Sequence, residues 1–146
     1  TGISATAGIG SVSGTSLGIA GITEFQTDLA SANALTTGCA YLTTPAVAGL
    51  LAQRQRFAST DTPLWVGNIL DGTVAGYRAS TTTQMTAASA IFGDFSQIVI
   101  GEWGMLEIAL NPYAAFATAI TGIRAIQSVD VGVRQAAAFS RSITIT

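Results

Sequence analysis

The chain has no histidine. That removes the usual general base near neutral pH and the commonest metal ligand. Triads of the Ser-His-Asp kind and His-containing zinc sites are excluded with it. A single cysteine, Cys39, can close no internal disulfide and build no thiolate zinc site, and it suits a reducing compartment. Cys39 sits beside apolar neighbours in Gly38-Cys39-Ala40-Tyr41-Leu42 and reads as a buried, inert thiol rather than a nucleophile. Lysine is also absent, and six arginines, at positions 54, 56, 78, 124, 134 and 141, are scattered without the basic stripe that grips phosphates. Arg54-Gln55-Arg56, the densest spot, reads as a solvated helix end. Walker loops are missing as well. In Gly8-Ile9-Gly10-Ser11-Val12-Ser13-Gly14 the third glycine comes one place too late for a dinucleotide loop.

Charge itself is scarce. Only 10% of the 146 residues are charged, with a net charge of −2, while 49% are apolar. Soluble domains run at roughly a quarter charged. A surface of Thr, Ser, Gln, Asn and Gly repels other copies of itself weakly, so the composition leans toward a protein mostly covered by partners. No run reaches membrane-span length: Ile98 to Leu110 is interrupted by Gly101, Glu102, Gly104 and Glu107. The start, Thr1-Gly2-Ile3-Ser4, shows neither an initiator Met nor a signal-peptide layout and reads as a fragment or processed product.

The length suits one domain with its own core. Residues 1–20 read as a flexible segment or edge strand. A helix is expected over 23–36, where Phe25, Leu29 and Ala32 or Asn33 recur at helical spacing. Ala40-Tyr41-Leu42 gives a short strand. Thr44 caps a second helix over 45–56, with Pro45 at its first position and Val47, Leu50, Leu51 and Phe57 as its buried stripe. After Pro63 the period becomes two. Strands are expected at 64–66, 73–79, 90–92, 97–101 and 138–145. Ile98, Ile100, Leu106, Ile108 and Leu110 predict a hairpin turning at Gly101–Gly104 over one buried face. From Ile123 to Arg134 the odd positions are apolar, broken once by Gln127, which predicts one long two-faced strand of roughly 40 Å. These elements make an α+β fold.

Eight carboxylates remain for chemistry. A carboxylate-pair hydrolase would draw on Asp94, Glu102, Glu107 and Asp130. The same residues read more simply as solvated or subunit-contact positions. Trp65 and Trp103 read as core or interface anchors.

From Ala90 onward the chain resembles the major capsid proteins of tailed bacteriophages. The phrase runs Ala90-Ile91-Phe92-Gly93-Asp94-Phe95-Ser96, Ile100-Gly101 and Trp103-Gly104-Met105-Leu106-Glu107-Ile108. Asn111-Pro112-Tyr113 is similar to a family "DPY", and Arg124 to Phe139 resembles a third phrase. Upstream, Ala40 to Pro45 and Ile3 to Val12 are similar in part. The resemblance implies a Hong Kong 97-type capsid fold, truncated here. Residues 1–118 would form the axial domain and 119–146 long strands of the peripheral domain, with the N-terminal arm, extended loop and long helix absent. It implies a shell subunit that assembles into hexamers and pentamers around DNA, within a virion and, during assembly, in the host cytoplasm. Its partners would be copies of itself, with scaffold, portal and packaged DNA, and no membrane or small-molecule substrate. An encapsulin-like compartment shell is the alternative. Some family members crosslink through Lys, Asn and Glu. With no lysine, and with Ile126 and Gln127 near the corresponding strand start, no crosslinking, catalytic, cofactor-binding or metal residue carries over.

Overall fold

A computed structural model describes residues 2–59, 61–115, 118 and 120–146, with the backbone alone at 112, 114 and 115. Helix α1, Ile19–Ser31, buries Ile22, Phe25 and Leu29. It starts four residues before the expected Thr23 because Ile19, three before Ile22, also packs on the core. Asn33 ends it in a left-handed conformation, φ 52°, and Ala34 N–H reaches back to the Leu29 carbonyl at 2.8 Å. That arrangement satisfies carbonyls a helix end otherwise leaves open. Helix α2, Pro45–Gln53, buries Val47, Ala48 and Leu51. Its N-cap Thr44 makes no side-chain cap bond, contrary to expectation, and its hydroxyl is buried without a partner. Phe57 lies beyond the helix and is 59% exposed.

Strands β1 (Gly10–Ser11), β2 (Ala40–Thr43), β3 (Trp65–Gly67), β4 (Asp71–Val74), β5 (Tyr77–Thr81), β6 (Ala90–Gly93) and β9 (Phe139–Ser142) form one mixed sheet in the order β1-β9-β6-β2-β5-β4-β3. The strand expected over 73–79 is two. Ala75 and Gly76, with φ of 48° and 89°, make a two-residue turn that closes β4 on β5. Positive φ at both central positions matches the twist of the flanking strands. Both helices pack on one face, where Tyr41 and Phe92 stack 4.2 Å apart at the centre of the core. Trp65 is buried there and Cys39 is buried as expected. Arg54 is not a solvated helix end. Its guanidinium donates to the Leu17 carbonyl at 2.7 Å and the Thr146 carbonyl at 2.6 Å, tying three segments together.

Strands β7 (Ile98–Ala115) and β8 (Ile120–Val133) form a second, two-stranded sheet. β8 is the long unbroken strand that the alternation predicts. The hairpin turn expected at Gly101–Gly104 is instead an irregularity within one strand. The register shifts between Trp103 and Glu107, and Gly104 takes φ 78°. A bulge absorbs the glycine there without ending the strand. The division expected at 118/119 falls between the paired strands of this ribbon, and β9 returns to the seven-stranded sheet. Topology therefore splits the chain into a helix-backed sheet and a ribbon over 98–133.

Candidate assembly surface

The bulge governs what the ribbon shows. Between the pairs Trp103↔Ser128 and Glu107↔Ile126, β7 advances four residues and β8 two. The difference is even, so side chains on each face stay on that face through the irregularity. One face carries Ile98 and Val133, Ile100 and Val131, then Ile108 and Ala125, Leu110 and Ile123, as successive cross-strand pairs. Midway, Glu102 faces Val129, with Gln127 next to it on β8. Gln127 Nε2 donates to Glu102 Oε2 at 3.2 Å, so the one polar break in the β8 pattern meets its partner. The other face bears Asp130, Ser128, Glu107, Arg124 and Asn111, with Trp103 and Ile126 among them.

The expected burial of the apolar face is not met within this chain. Among the described residues the base alone is covered, where Ile98 and Val133 pack with Phe139 and Phe95. Further out, Leu110 is 67% and Ile123 72% exposed, and Trp103, an expected anchor, is 85% exposed. Among the described residues, nothing lies over the ribbon to hide that alternation. An exposed apolar face of this kind marks a surface made for a partner.

The four carboxylates considered for hydrolysis do not converge. Asp94 is buried beside the sheet, where its carboxylate accepts from Ser96 N–H at 3.0 Å and Thr36 Oγ1 at 3.3 Å. Hydrogen bonds from Ser96 hold it below the ordinary carboxylate range against the opposing effect of burial. Glu102 stands on the apolar ribbon face, and Glu107 and Asp130 on the opposite one. Asp130 accepts from its neighbour Val131 N–H at 2.9 Å. Among the described residues, no group of three or more metal-ligating side chains comes together. A hollow on the open face of the seven-stranded sheet, lined in part by Arg141, escaped sequence reasoning. The signal was there in the alternation of β9, where Phe139 and Arg141 share a side.

Fold and surface define a class: an α+β unit with dispersed carboxylates, whose most prominent exposed feature is an apolar sheet face. Comparison with known proteins names it. The Phage capsid family model matches residues 1–141, and the chain belongs to that family, one of structural capsid proteins and not of enzymes. It is 32% identical over 117 residues to the major capsid protein of Halomonas phage phiHAP-1, covering 80% of this chain and 19% of that protein. Two solved structures share its fold. The capsid of an empty GTA particle matches with a TM-score of 0.63 and 19% identity, over 100% of this chain and 52% of that one. The capsid of a native GTA particle matches with a TM-score of 0.65 and 20% identity, over 94% and 50%. The chain thus spans about a fifth of the curated relative and about half of the solved capsid chains. The expected α+β capsid fold is the one observed.

Proposed function

We propose that this chain is a structural part of a major capsid protein of a tailed phage or prophage, and that it acts by associating with copies of itself in hexamers and pentamers of a shell enclosing DNA. Its place is the virion and, during assembly, the host cytoplasm. The observation that carries this reading is the uncovered apolar face of a ribbon on a capsid-family fold. The helix-backed sheet is the better counterpart of the axial domain, and the ribbon over 98–133 of the peripheral strands. Scaffold, portal and DNA are further partners of such a shell, DNA being held without sequence specificity.

Purified chain, followed by sedimentation and light scattering over a concentration series, tests the reading. The expected masses are the 14.8 kDa monomer and, as concentration rises, five or six times that value. Closed particles are not expected under the electron microscope, because one small interface must offset several kcal/mol of lost translational and rotational freedom. A strict monomer at millimolar concentration would overturn self-association. A hydrolytic turnover that dies with Glu102→Ala, Glu107→Ala or Asp130→Ala would overturn the structural role.

A further inference from the structure

The face of the seven-stranded sheet away from the helices holds a pocket of about 230 Å³. Leu42, Ile91 and Arg141 are aligned by register, Ile91 lying opposite Leu42 across β2–β6 and opposite Arg141 across β6–β9. Directly paired residues share a side of a sheet, so all three point into this hollow. Met85 and Ile3 close it from the neighbouring loops. Arg141 therefore sets a half-buried guanidinium beside an apolar hollow. Among the described residues it has no hydrogen-bonding or ionic partner. A guanidinium presents a planar fork of N–H donors that matches a carboxylate, and leaving it half-desolvated without one is unfavourable.

The chain itself carries a fitting carboxylate. Asp28 is taken by Ser140, Asp71 by Arg78, Asp94 by Ser96, Glu102 by Gln127 and Asp130 by its neighbour Val131 N–H. Glu24 on α1 and Asp61 after α2 are exposed but do not stand on the ribbon. Glu107 is exposed and has no partner among the described residues. On its face of the ribbon it stands opposite Ile126, 43% exposed, and two residues after Met105, 91% exposed. Ile126 and Met105 give this acid apolar neighbours, with Arg124 diagonally across on the same face, and the Arg141 cation likewise stands beside apolar residues. It cannot enter its own pocket. From Val133 at the ribbon's base to Ile126 the strand runs seven residues, roughly 23 Å away from the sheet at ~3.3 Å each.

Resting on the shell-subunit reading, we propose that the Arg141 pocket receives Glu107 from the ribbon of a second copy, with Met105 and Ile126 filling the apolar part. Contact is heterologous: pocket and ribbon are different surfaces, so each copy offers one of each, as ring formation requires.

Sedimentation equilibrium of the chain with Arg141→Glu, Glu107→Arg and both together tests this. Each single reversal is expected to weaken association at least tenfold, and the double reversal to restore most of it. Chains carrying Arg141→Cys and Glu107→Cys, mixed and mildly oxidised, should form a disulfide-linked pair that neither forms with wild type. That arm stands even if a charge reversal fails to fold. Association equal in all variants, with no crosslink, overturns the proposal while leaving the shell reading intact. Weakening by Arg141→Glu but not by Glu107→Arg overturns it too, because the pocket then takes another acid. Wild-type chain that never associates removes both readings.

Discussion

The helix-backed sheet and the ribbon are built from similar residues and treat them in opposite ways. In the sheet, Tyr77 and Ala79 alternate with Arg78 and Ser80 and share with Tyr41, Phe92 and Val74 the face that packs beneath two helices. In the ribbon, Ile100, Leu110, Ile123 and Val129 alternate just as regularly and stay exposed. The difference lies not in the pattern but in the layers. A sheet with helices on one face completes its own core. Two strands alone are marginal in water and need a third strand, a helix or another molecule against their apolar face. Alternation tells which side of a strand is apolar. It is silent about whether the cover comes from the same chain.

Substitutions in the two regions test that contrast, beginning with the largest effect. Phe92 is fully buried, stacked on Tyr41 and edge-on to Tyr77 at 5.2 Å. Phe92→Ala should cost about 3–5 kcal/mol in urea unfolding, through lost contacts and a cavity the sheet cannot close. Trp103→Ala, on the ribbon, should stay within about 0.5 kcal/mol. Equal losses would mean that the two regions form a single core.

Glycines give a gentler pair. A Cβ on Gly93 would meet the Phe139 ring and the Ala138 carbonyl, whereas one on Gly132 would meet nothing within 4 Å. Gly93→Ala should cost roughly 1–3 kcal/mol by overpacking. Gly132→Ala should be neutral or slightly stabilising, since it only narrows the unfolded ensemble. Thermal melts of the two variants side by side decide it.

Asp94 adds a pH arm. Its folded-state pKa lies below the ordinary value, held there by Ser96 and then Thr36. The stability it contributes is therefore fully present above the unfolded pKa of about 4 and is lost as pH falls through the lower folded value. Wild type should lose more stability than Asp94→Asn in that acidic window, and the two curves should run parallel above it. Parallel curves throughout would show that the carboxylate gains nothing from its hydrogen bonds.

Much of this architecture was legible in the residues. The α1 stripe at Phe25 and Leu29, Pro45 at the start of α2 and the β8 alternation all follow from local spacing, and the structure has each of them. Misreadings came where local signals were ambiguous. Gly101 and Gly104 fit a turn or a bulged strand equally well, and only pairing with the whole of β8 selects the second. Thr73 to Ala79 alternates like one strand, and the Ala75–Gly76 turn shows only in the backbone. The candidate surface was half legible. Gln127 stood out as a break in an apolar parity, but its partner Glu102 is 25 residues away and needed the register to be found. Arg141 looked like one scattered cation until β6 and β2 set apolar residues beside it.

The smallest effect on stability should come from the ribbon's apolar face, and it separates the two regions most sharply. Leu110 and Ile123 are a directly opposed pair, 67% and 72% exposed. Already hydrated in the isolated chain, they have little burial to lose. A cross-strand pair is worth only about 0.2–1 kcal/mol in any case. Changing either to Ser should therefore shift the urea midpoint barely, within about 0.5 kcal/mol. Self-association is another matter. If the face is covered by another copy, each Ser removes a side chain whose full burial is worth about 1.5–3 kcal/mol, so the association constant should fall by tenfold or more. Both quantities can be read on one preparation, by chemical denaturation at low concentration and sedimentation at high. A large stability loss would show that the ribbon is completed within its own chain. Unchanged stability with unchanged association would show that its apolar face serves neither purpose.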